Sequence, residues 1–139
     1  MKAYLDNYIT LDPGFVPFAE KYSSKYDFIL LSNDIAPWSR HLTEHYALNR
    51  YFKAKLVSGD LDCRKPQKSM YRMALTASWN EAQECLFVDN TVRNLRSARE
   101  FFSIPTVLFE REKSKWDGDR VSSFEELGAF LDKTAEDQE

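Results

Sequence analysis

At 139 residues the chain has the size of one domain, and 43% hydrophobic with 29% charged residues is an ordinary globular composition. A net charge of −3, with no Lys/Arg block and no aromatic–basic alternation, argues against nucleic-acid binding, and four glycines leave no Gly-rich nucleotide loop. No apolar run approaches membrane-spanning length and the opening MKAYLDNYI is polar, so a cytoplasmic protein with Cys63 and Cys85 as reduced thiols is expected.

Residues 2–9 read as a helix fragment, and LDPGF at 11–15 as a turn. VPFAEKYSS follows as a helix, with Phe15, Phe18, Ala19 and Tyr22 spaced for one buried face. A strand from about Asp27 to Ser32 has an uninterrupted apolar centre, which suggests burial on both faces of a parallel sheet. The spacing of Ile35, Trp38, Leu42, His45 and Tyr46 predicts a helix over 35–48, and KAKLVSGD a short strand. Pro66 suits the first turn of a helix reaching about Ala77. CLFVD, a helix over 92–101 and the strand PTVLF come next, then a charged loop over 110–121. SSFEELGAFL closes the pattern as a helix, with Ser122 or Ser123 as N-cap and Glu125 or Glu126 completing a capping box. The acidic end, 132–139, reads as a frayed tail. Strands alternating with helices predict an α/β, three-layer Rossmann-like domain with a parallel sheet.

Three polar clusters follow strands or open helices: Ser32-Asn33-Asp34, Arg64-Lys65-Pro66 and Asp89-Asn90. In a parallel sheet the first and third share one rim, where such sheets bind ligands. A Ser hydroxyl and the next backbone N–H suit phosphate oxygens, and a lysine supplies a compact positive charge. Asp89 offers a hard oxygen donor for Mg²⁺, a cation that takes few protein carboxylates. Together these residues describe a phosphoryl-binding rim with a metal.

FILLSND, DCRKPQKSMYRMAL and CLFVDNTVRNLRSARE resemble the second, third and fourth motifs of the haloacid dehalogenase-like (HAD) hydrolase superfamily. The closest resemblance is to the subgroup whose helical cap interrupts the chain after the first strand, and YITLDPGFVPFAEKY resembles that subgroup's passage from cap to core. The resemblance implies a Mg²⁺-dependent hydrolase of the phosphatase type. Ser32 would bind the transferring phosphoryl group with Asn33 beside it, Lys65 would stabilise nucleophile and phosphate, and Asp89 with Asn90 would hold the metal.

The resemblance also sets expectations about what the chain lacks. The family's first motif, DxDx[TV], carries the attacking aspartate at the end of the first core strand. Asp6 and Asp12 lack both a preceding apolar strand and a second acid two positions on. The expected fold therefore lacks the first core strand and most of the cap, with residues 1–12 a remnant of the cap-to-core passage. The expected function is a hydrolase core inactive alone for want of its nucleophile. The alternatives are a non-catalytic HAD-derived partner or a dehalogenase. A small phosphorylated molecule would be the substrate. Either the FILLS and LFVD strands pair directly, or a second copy or a complementing N-terminal fragment fills the gap.

Overall fold

The structure, a computed structural model, describes residues 2–33, 41, 44, 47–58, 65 and 67–137. The predicted helix over 35–48 lies mostly outside these residues, as do Asp34, Cys63, Arg64 and Pro66.

Six strands form one parallel sheet: β1 (Lys2–Leu5), β2 (Asp27–Ser32), β3 (Phe52–Val57), β4 (Cys85–Asp89), β5 (Thr106–Phe109) and β6 (Asp119–Val121). Their order across the sheet is β3-β2-β1-β4-β5-β6. The helices are α1 (Asn7–Thr10), α2 (Phe15–Tyr22), α3 (Lys68–Ser78), α4 (Val92–Phe102) and α5 (Phe124–Asp137).

The parallel sheet agrees with the expected fold class, but the expected central gap is filled by this chain. Residues 2–5 form β1, which pairs with β2 on one side and β4 on the other. Neither direct β2–β4 pairing nor a second chain is needed to close the sheet. The helix expected over 2–9 is confined to the single turn of α1. The physical reason lies in the side chains of KAYL. Ala3 and Leu5 face one layer and Tyr4 the other, so all three are buried at a period of two. Tyr4 is tolerated in the centre because its hydroxyl donates to the Ala74 carbonyl at 3.0 Å. Burial pushes its phenol well above the ordinary tyrosine range.

The same alternation divides the core in two. Ala3, Leu5, Phe28, Val88 and Val107 pack against Phe15, Phe18, Phe124 and Leu127 of α2 and α5. Tyr4, Ile29, Leu31, Phe87 and Leu108 pack against Met70, Tyr71, Leu95 and Ala98 of α3 and α4. Each fully buried side chain of this size contributes about 1.5–3 kcal/mol relative to exposure.

Two further expectations need correction. The loop over 110–121 contains β6, whose Val121 carbonyl accepts from the Glu110 N–H at 2.7 Å. The tail expected from 132 is helical to Asp137, because Tyr22 of α2 donates to Asp132 at 2.9 Å and ties it down. Ser123 is the α5 cap, accepting the Glu126 N–H at 3.1 Å, while Glu126 reaches back to Ser122.

Candidate active site

Asp6, the residue after β1, and Asp89, the last of β4, meet a single lysine. The β1–β4 register pairs Tyr4 with Phe87, and two residues further along it sets Asp6 level with Asp89. Lys65 Nζ lies between them, 2.9 Å from Asp6 Oδ2 and 2.7 Å from Asp89 Oδ2. All three are buried, the lysine side chain to within 1% of its surface. Its ammonium also sits 5.6 Å from the centre of the Phe87 ring. Burial alone would push this ammonium down, but the charges and hydrogen bonds of Asp89 and Asp6 outweigh it and hold it above the ordinary lysine value. The cluster therefore holds a charged lysine between two carboxylates in surroundings almost without water.

Each member is fixed by the local fold. The Asp6 carbonyl accepts the Ile9 and Thr10 N–H groups at 3.1 and 3.2 Å, so the chain turns from β1 directly into α1. Asp89 Oδ1 accepts the Thr91 N–H at 2.8 Å, and Oδ2 accepts Asn94 Nδ2 at 3.3 Å besides Lys65. Asn94 is held in turn by Tyr71, whose hydroxyl donates to its carbonyl at 2.8 Å. Burial, with the nearby Asp89 charge, raises the Tyr71 phenol far above its usual range and keeps it a neutral donor.

The sequence-predicted residues have unequal fates. Lys65 and Asp89 meet in the cluster. Asn33 joins it from the end of β2, but through the backbone of Lys65 rather than toward an open rim. Ser32 closes β2 level with Val57 and is fully buried. Asn90 is exposed, its Oδ1 accepting the Thr91 hydroxyl at 3.3 Å. Asp6 and Asn94 were not among the predicted site residues. The signal for Asp6 was a short apolar triplet followed by Asp, as at LFVD, with Thr10 four residues on.

Of the two residues expected to hold magnesium, Asp89 lies in the cluster and Asn90 does not. Asp89 is turned to N–H donors through both oxygens, and Asn90 faces away into solvent. Among the described residues no group of three His, Cys, Asp or Glu side chains is arranged for a metal ion. A groove of about 460 Å³ between α2 and α5 is lined by Phe18, Tyr22, Phe124 and Gly128 and includes none of the cluster residues. Concavity and chemistry thus point to different places. The buried charge cluster is the candidate site, because retained buried charges are enriched at functional positions.

No protein-family model and no curated protein matches the sequence. Solved structures do match. YfnB from Bacillus subtilis, a proposed HAD-hydrolase bound to magnesium, superposes with a TM-score of 0.78 at 16% identity, over 85% of this chain and 54% of that one. The chain has the HAD-like fold. L-2-haloacid dehalogenase from Xanthobacter autotrophicus gives a TM-score of 0.76 at 14% identity, over 88% and 61% of the two chains. A protein from Corynebacterium glutamicum gives 0.67 at 20% identity, over 79% of this chain and 85% of that one. The chain therefore spans little more than half the length of YfnB and of the dehalogenase, and most of the Corynebacterium glutamicum protein. In this HAD-like sheet Asp6 directly follows the central strand β1. Asp6-Asn7-Tyr8-Ile9-Thr10 keeps the first and last positions of DxDx[TV], with Tyr8 in place of the second acid. The expectation that Asp6 follows no apolar strand is overturned by β1, while the DxDx[TV] pattern stays incomplete in the sequence.

Proposed function

We propose that the protein is a hydrolase in which the Asp6 carboxylate attacks a small anionic substrate and is regenerated by water. The observation that carries this reading is the buried Lys65 ammonium shared by Asp6 and Asp89 at the ends of adjacent parallel strands. The ion pair fixes the orientation of Asp6, and desolvation leaves a carboxylate less stabilised by water than a surface one. Lys65 then holds the substrate's negative charge and the charge that develops on the leaving side. Asp89, anchored by Thr91 and Asn94, keeps the lysine in place between turnovers.

Position 8 holds tyrosine, not a second acid, and no carboxylate is provided there to protonate a leaving group. This favours a leaving group that departs as an anion without a proton, such as halide from a small halogenated acid. An Asp6 oxygen would bond to the α-carbon as the carbon–halogen bond breaks and the halide takes the electron pair. Water would then add to the Asp6 carboxyl carbon of the resulting ester. The hydroxy acid leaves with one proton of that water, and the other passes to solvent. Dehalogenases among the structural neighbours support this reading.

A second reading is phosphate-ester hydrolysis with magnesium, supported by the magnesium bound to YfnB and by Ser32 near the same rim. The exposure of Asn90, outside the cluster, favours the first reading over this one.

The test is a single turnover in ¹⁸O-water followed by mass spectrometry of the Asp6 peptide, with 2-chloropropionate in EDTA and with p-nitrophenyl phosphate in Mg²⁺. Halide release with ¹⁸O entering Asp6 is the expected result. Label in released phosphate and not in Asp6 would favour the second reading. Activity retained in Asp6→Ala would remove both.

A further inference from the structure

Asn33 was expected beside a phosphoryl group, yet its amide is engaged elsewhere. Its Nδ2 donates to the Lys65 carbonyl at 2.8 Å, and its Oδ1 accepts the Lys65 N–H at 2.7 Å. The orientation of the amide is unambiguous, because exchanging nitrogen and oxygen would set donor against donor and acceptor against acceptor. One side chain thereby satisfies both backbone groups of a residue that belongs to no helix or strand. We infer that Asn33 is a positioning residue: an amide clamp, built on the end of β2, that fixes the backbone of residue 65 and so sets where its ammonium stands between Asp6 and Asp89.

A lysine side chain has four rotatable carbons and about 2 kcal/mol of rotamer freedom, so ion pairs at its tip alone leave its base free to wander. Anchoring the base to the sheet that also carries Asp6 and Asp89 ties all three charges to one rigid frame. Asparagine is the side chain that fits. Aspartate would set a carboxylate oxygen against the Lys65 carbonyl, glutamine is one methylene too long, and serine cannot bridge both groups. The catalytic consequence rests on the aspartate-hydrolase reading, but the clamp itself does not.

The experiment is acetylation of the intact protein by N-hydroxysuccinimidyl acetate, followed residue by residue with mass spectrometry. Lys65 should resist modification in the wild type, while Lys53, whose side chain is 67% exposed, reacts and serves as internal reference. In Asn33→Ala the rate at Lys65 should rise at least about tenfold with Lys53 unchanged, as local opening becomes easier. Asn33→Asp retains the acceptor for the Lys65 N–H, so its rate should lie between the two, and it carries the test if the alanine variant does not fold. Where turnover is measurable, kcat should fall about 10- to 100-fold in Asn33→Ala with KM within about threefold. Unchanged Lys65 reactivity in a folded variant would overturn the clamp. So would a rise in KM with kcat preserved, since that marks direct substrate contact. A wild type without turnover would defeat the hydrolase reading while acetylation still decides the clamp.

Discussion

The two ends of β1 carry the same residue types in inverted proportion. At its start, Asp27 lies between two lysines, paired with Lys2 and 3.0 Å from Lys53. At its finish, Lys65 lies between two aspartates. The first trio is more open to solvent, with 17% of the Lys2 side chain, 30% of Asp27 and 67% of Lys53 exposed. In the second, Lys65 and Asp89 keep 1% each and Asp6 keeps 11%. Exposed pairs are screened and contribute little to stability. Buried ones lose hydration that their attraction rarely repays in full, so the second trio is weak evidence for stability. The contrast teaches that charge pattern alone does not distinguish the two ends, whereas charge pattern with burial at the carboxyl end of a parallel strand does.

The largest expected effect is on turnover. Asp6→Ala should lower kcat by at least about 10³-fold, whereas Asp27→Ala should leave it within about twofold. Steady-state kinetics on the substrate found active would check both, and equal losses would erase the functional contrast between the two ends.

Next comes stability. Lys65→Met leaves Asp6 and Asp89 facing each other without their cation, and should destabilise the fold by about 3–5 kcal/mol in urea titrations. Replacing the whole cluster, as Asp6→Asn/Lys65→Met/Asp89→Asn, should recover most of that loss, because no uncompensated buried charge remains. A triple variant as unstable as the single one would mean that the cluster is held for stability.

Much of the architecture was legible because strands buried on both faces give unbroken apolar runs, as in FILLS and CLFVD, and β2 and β4 fall where those runs predict. β1 was missed because it is only four residues long and begins with Lys2, so too few apolar positions exist to separate strand from helix period. Its identity comes from tertiary pairing with two flanking strands, which no local window contains. Lys65 and Asp89 were legible as a positive charge and a strand-end acid. Asp6 was not, since a short polar-flanked strand hid its place at the rim. Nothing in the sequence indicates that the Asn33 amide meets the backbone of a residue 32 positions away.

The placement of β1 has its own test. Amide hydrogen exchange at Tyr4 and Leu5 should be among the slowest in the chain, with opening free energies approaching the global value, because both residues are buried in a strand paired on both sides. Fast exchange there, as in a fraying terminal segment, would remove the frame that holds Asp6 level with Asp89.

The smallest effect sharpens the comparison from the exposed end. Hydrogen bonds from Lys2 and then Lys53 hold the Asp27 carboxyl below its usual range, despite partial burial that opposes them. A depressed folded-state value means that the pairing contributes stability above the unfolded carboxyl pKa of about 3.9. That contribution is lost as pH falls through the lower folded value. With this much solvent around the trio, Asp27→Asn should cost only about 0.2–1 kcal/mol near pH 7, less in 1 M salt, and nothing once the wild-type carboxyl is protonated. Denaturant titrations from pH 7 down through the depressed folded value, with and without salt, would read all three. A loss as large as that of Lys65→Met, or one indifferent to salt, would show that the two ends differ less than their exposure indicates.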